Sequence, residues 1–65
     1  MAIYSQQDIF RDDLLVELRE LKYIGINVPP KAFKLAENAL IDDYLSMDKT
    51  EVVDHIIMLS KMRGV

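Results

Sequence analysis

Read for where its apolar side chains fall, the chain divides into three helical segments. In the first, Phe10, Leu14, Leu18 and Leu21 recur at spacings of three and four, the period of one face of an α-helix. In the second, Phe33, Ala36, Leu40, Tyr44 and Met47 do the same, widened by Ala32 and Ala39. The third, "EVVDHIIMLSKM", sets Val52, Ile56 and Leu59 along one face with Val53 beside them. No segment alternates polar and apolar with period two, so no strand is expected.

Short-range signals bound these segments. Ser5 can cap the first helix, and Asp8 adds negative charge at the positive end of its dipole. Gly25 suits the position just past that helix, because a residue without a Cβ adopts positive φ at little cost. In the linker "INVPP", residues before proline are held extended, and Pro30 suits the first position of a new helix. "DKTE" offers Asp48 as N-cap with Glu51 three residues on, an aspartate form of the capping box. Gly64 closes the third helix behind Lys61 and Arg63, whose charges complement its negative end. These signals predict helices over about 5–24, 30–46 and 49–63. The expected fold is all-α: a small three-helix domain covering 1–65, which completes its core by self-association.

The apolar residues left over motivate that last expectation. Ile9, Val16 and Tyr23 recur every seven residues, on the side of the first helix away from its core stripe. Ile41 and Leu45 fall off the core face of the second helix. Met58 and Met62 form a further stripe with His55 on the third, and Ile57 sits apart from both. Each Leu- or Ile-sized side chain left in water forfeits roughly 1.5–3 kcal/mol of burial. Three arrangements would recover it: a first helix sandwiched between the other two, a homodimer or small bundle, or a different protein docked on the surplus. Ile9, Val16, Tyr23, Met58 and Met62 are the candidate partner-binding residues.

Composition narrows the possibilities further. A chain of 65 residues buries only about 60% of its unfolded surface and needs help from regular packing, cross-links or association. It has no cysteine, which removes disulfides and thiolate metal sites and suits a reducing, cytoplasmic setting. No apolar run approaches the ~20 residues of a membrane span, and the first residues lack the basic-then-apolar pattern of a secretory signal. The formal net charge of −3 argues against nucleic acid as the main partner.

Candidate chemistry is sparse. His55 is the only histidine; with Glu51 one turn earlier it could supply two metal ligands, which do not make a site. Asp12–Asp13 and Asp42–Asp43 diverge by ~100° on a helix and read as solvated faces, not acid–base couples. With glycine only at 25 and 64 there is no phosphate-cradling loop. No catalytic, metal or cofactor residue is therefore predicted, and the protein is expected not to be an enzyme. The second helix, "SMD" and the third helix outline a helix–turn–helix, but its reading end would present Asp48, Glu51 and Asp54 beside Lys49 and Thr50.

Two stretches carry likenesses. "ALIDDYLSMDKTEVVDHIIMLSKM" resembles the paired-helix IDEAL segment of small Bacillus-type proteins at Ile41, Asp42 and Leu45, with Tyr44 where that motif has alanine. "GINVPPKAF" is similar in outline to the linker of tiny regulators that disable a transcription factor by exchanging helix pairs. Both rest on common residues and assign no family. The expected function is a small regulatory or interaction protein of bacterial or phage type, inhibiting or tuning a larger protein by helix-mediated binding. The alternative is a dimeric helix–turn–helix transcriptional regulator.

Overall fold

A computed structural model describes residues 5–62. Among them lie three α-helices and no strand: α1 (Gln6–Tyr23), α2 (Pro30–Glu37) and α3 (Lys49–Lys61), with a 3-10 turn at Ile41–Tyr44 between the last two. The third helix thus stops at Lys61, and its expected closing residues Arg63 and Gly64 lie outside the described residues.

The helix boundaries follow from local chemistry. The Ser5 hydroxyl accepts from the Asp8 backbone N–H at 3.2 Å while the Asp8 carboxylate accepts from the Ser5 N–H at 3.4 Å, a complete capping box. At α3, Asp48 accepts from the Glu51 N–H at 3.0 Å, and Glu51 returns no bond among the described residues. The reciprocal box therefore forms at α1, while α3 carries half of one. Gly25 has φ +98°, with its own N–H on the Lys22 carbonyl at 3.2 Å and the Ile26 N–H on the Leu21 carbonyl at 3.0 Å. That pair of bonds is a Schellman ending, which needs a residue at ease in the left-handed region. Pro30 opens α2 as expected, with Pro29 extended before it.

The second helix is shorter than the periodicity suggests: it ends at Glu37, not near residue 46. The cause is tertiary. The Gln7 side chain donates to the Ala39 carbonyl at 2.6 Å and accepts from the Ile41 N–H at 2.8 Å, and Arg11 Nε donates to the same carbonyl at 3.0 Å. A continuing helix would use that carbonyl and that N–H for its own ladder. Asn38 meanwhile folds back on the Lys34 carbonyl at 2.9 Å. Leu40 is left extended (φ −103°, ψ 126°) and half-exposed, not in the core stripe where the helical pattern put it.

All three helices pack on one another, α2 against both α1 and α3 and α1 against α3. The core is Leu14 and Leu18 from α1, Val28 from the linker, Ala32, Ala36 and Ala39, and Val52, Val53 and Ile56 from α3. Two buried alanines, Ala32 and Ala36, let α2 sit close to both neighbours, so the helices form a triangle. In a triangle each helix keeps one side in water, which rules out a sandwiched first helix. Ile57, expected to stand apart, is half-buried against this core. Ser60 is buried too, its hydroxyl donating to the Ile57 carbonyl at 2.6 Å.

Candidate interaction surface

The surface carries many large apolar groups. Six large aliphatic side chains are buried and eight more large hydrophobic ones pack partly buried against them, while nine are open among the described residues. All five sequence-predicted binding residues are in the open set: Ile9 (46% exposed), Val16 (47%), Tyr23 (91%), Met58 and Met62. The other four are Ile24, Ile26, Leu40 and Leu45.

These residues form separate patches. Ile9, Val16 and Tyr23 line the outer side of α1, about 21 Å from end to end at 1.5 Å per residue. Ile24 prolongs that stripe, sharing a shallow depression with Tyr23, Arg19 and Glu20. Met58 and Met62 belong to another flank. On α3 the side meeting α1 carries Thr50, Val53 and Asp54, which line a small cleft with Glu17 and Leu21. His55, one turn from Met58 and two from Met62, instead meets Tyr44 edge-on at 5.9 Å. The methionines therefore do not lie alongside the α1 stripe, as the helical pattern alone would allow.

The 3-10 turn bridges the two regions. Tyr44 stacks between Phe10 and His55, with ring centroids 5.9 Å from each. Beside it opens a cavity of about 250 Å³ lined by Phe10, Asp13, Tyr44, Leu45 and Met47, among others. Leu45, 74% exposed, stands at this cavity. Asp13 also lies one helical turn from Ile9 and from Val16, so the cavity adjoins the α1 stripe.

Charge around the stripe is one-sided. Asp12, Asp13 and Glu20 flank it and are exposed, as are Asp42 and Asp43 on the 3-10 turn. Of the cations on α1, Arg11 is held at the Ala39 carbonyl and Lys22 lies over the Phe33 ring at 5.8 Å, both turned toward α2. Only Arg19 stays with the stripe. Lys49, at the cavity, is paired with Glu17 at 3.4 Å.

Sequence reasoning missed Ile24, Ile26 and Leu40 because each sits where a helix stops and its periodicity no longer applies. The signals were present nonetheless: Ile24 and Ile26 flank Gly25, and Asn38 precedes Leu40 by two residues. The Glu51–His55 pair gains no third metal-ligating neighbour among the described residues. No described helix is long and apolar enough to cross a membrane. The chain matches no protein-family model, no curated protein and no solved structure.

Proposed function

We propose that this chain is a small non-enzymatic interaction protein of the cytoplasm, acting as a regulator or inhibitor through helix-mediated contact with another protein. The observation that carries this reading is the outer stripe of α1. Ile9, Val16 and Tyr23 keep heptad spacing, the spacing at which one helix presents knobs to another, yet the folded chain leaves them open. Large exposed apolar patches rimmed by polar residues are a mark of protein-binding surfaces.

The helix–turn–helix alternative draws less support. Eleven residues separate α2 from α3, where that motif uses a turn of about three or four. The start of α3 offers Asp48, Glu51 and Asp54 at its exposed positions, and its one cation there, Lys49, is engaged with Glu17.

Site-specific photo-crosslinking in the source cells tests the proposal. A photoreactive residue at position 16 should form discrete protein adducts that Ile9→Ser and Tyr23→Ser together abolish. The same group at position 34, on α2, should form none. Equal adducts at both positions, or none at either, would sink the reading.

A further inference from the structure

The outer stripe of α1 has a preferred occupant. We infer that it docks a cationic amphipathic helix of a different protein and not a second copy of this chain, an inference that rests on the protein-binding reading above.

Charge decides between the two occupants. A second copy laid antiparallel across Val16 would set Ile9 against Tyr23, which suits the apolar groups, but Asp13 and Glu20 share one flank of the stripe, so it would also set Asp13 of each copy against Glu20 of the other. A parallel copy would set Asp12 of each chain against Asp13 of the other. Like charges directly opposed on neighbouring helices are destabilising, and bringing them into a contact costs further desolvation. Arg19 offers the compensating contact in either case, to Asp12 when antiparallel and to Glu20 when parallel, but each copy brings three acids and one cation to the seam, so two copies meet with net like charge. A helix carrying Lys or Arg beside its apolar knobs meets opposite charge at Asp12, Asp13 and Glu20 and like charge only at Arg19, and Asp42 and Asp43 extend the acidic rim past the cavity.

The geometry sets the length and the anchor. A stripe of about 21 Å matches about four turns of a partner helix. The cavity next to Asp13, at about 250 Å³, falls below the roughly 300–1,000 Å³ typical of small-molecule pockets and fits one anchoring side chain. Its walls, Phe10, Tyr44, Leu45 and Met47, are apolar or aromatic, with Asp13 on the side of the stripe and Lys49, paired with Glu17, as the one cation at its edge among the described residues. The occupant is thus a helix with one large apolar anchor and a cationic flank reaching Asp13.

Two designed peptides of about three heptads test this, identical in their leucine seam but flanked by Lys in one and Glu in the other. Titration followed by fluorescence anisotropy should show the Lys-flanked peptide binding about tenfold or more tightly at low salt, the gap closing near ~0.5 M salt as screening shortens. Val16→Gln with Tyr23→Gln should weaken that binding about tenfold or more without changing the helical circular dichroism. Asp12→Lys, Asp13→Lys and Glu20→Lys together should reverse the preference. Equal, stripe-dependent binding of both peptides would overturn the cationic occupant while leaving a protein-binding stripe in place. A wild-type dimer dissolved by Val16→Gln would overturn it in favour of a second copy. Absence of binding by either peptide, together with empty crosslinking at position 16, would remove both this inference and the reading beneath it.

Discussion

The two sides of α1 carry similar apolar residues on one helix, and the fold treats them oppositely. On the inner side Leu14 and Leu18 are fully buried, with Phe10 and Leu21 packed at the edges of the core. On the outer side Ile9, Val16 and Tyr23 face water. The inner stripe recurs at three and four residues, which keeps one helix face continuously apolar. The outer stripe recurs only at seven, leaving room between its knobs for Asp12, Asp13, Arg19 and Glu20. Spacing of three and four closes a core within a chain, whereas spacing of seven with charges between suits a seam that can live in water until a partner arrives.

The sharpest way to break this comparison is a carboxylate on the inner side. Leu18 is 0% exposed, so Leu18→Glu places a charge with no partner in the centre of the triangle. A chain of this size has only a few kcal/mol of stability to lose. Circular dichroism should therefore show loss of helical structure in the variant; a cooperative helical melt near the wild-type temperature would contradict the assigned core.

A smaller effect comes from the alanines that let the triangle close. Ala36 is fully buried where α2 meets its neighbours, and Ala36→Leu overpacks that seam by about 1–3 kcal/mol. Denaturant unfolding should show a lower midpoint. An unchanged or raised midpoint would mean that α2 sits less tightly than its alanines imply.

The next effect is local. Gln7→Ala with Arg11→Ala removes the partners of the Ala39 carbonyl and the Ile41 N–H. Leaving such groups without a protein partner costs about 1–3 kcal/mol when they are buried, less where water can replace the loss. Amide exchange should accelerate in residues 38–45 more than in α3. If instead helical chemical shifts extend past Glu37, the second helix has grown to the length its sequence pattern suggests.

That outcome bears on what was legible in the sequence. Ser5, Gly25, Pro30 and Asp48 act through neighbours within a few residues, so their helix ends could be read directly, and the core faces of α1 and α3 and of α2 as far as Ala36 followed from periodicity. The end of α2 could not, because it is set by Gln7 and Arg11, about thirty residues away in sequence. Leu40 was misplaced for the same reason. The open surface was legible in its residues but not in its grouping. Ile9, Val16 and Tyr23 stand together as their spacing implies, whereas Met58 and Met62 lie on another flank because the 3-10 turn packs His55 against Tyr44.

A smaller loss should follow from removing the α3 cap. Asp48→Ala deprives the Glu51 N–H of its acceptor and should cost about 1 kcal/mol, a drop of roughly 4–8 °C in Tm for a domain this small. Ser5→Ala tests the same point at α1, where the Asp8 N–H loses its acceptor while the backbone N–H of residue 5 keeps its bond to the Asp8 carboxylate.

The smallest expected effect is the most direct test of the central claim, that the outer stripe of α1 is surplus to the fold. Val16→Glu sits at the middle of that stripe, two residues from Leu18 and on the opposite side of the helix. Its thermal melt, followed by circular dichroism at low protein concentration, should stay within ~0.5 kcal/mol of wild type, or about 2–4 °C in Tm. A Val16→Glu chain that unfolds as Leu18→Glu does would show that the outer stripe is needed to hold the structure, and the claim would be wrong.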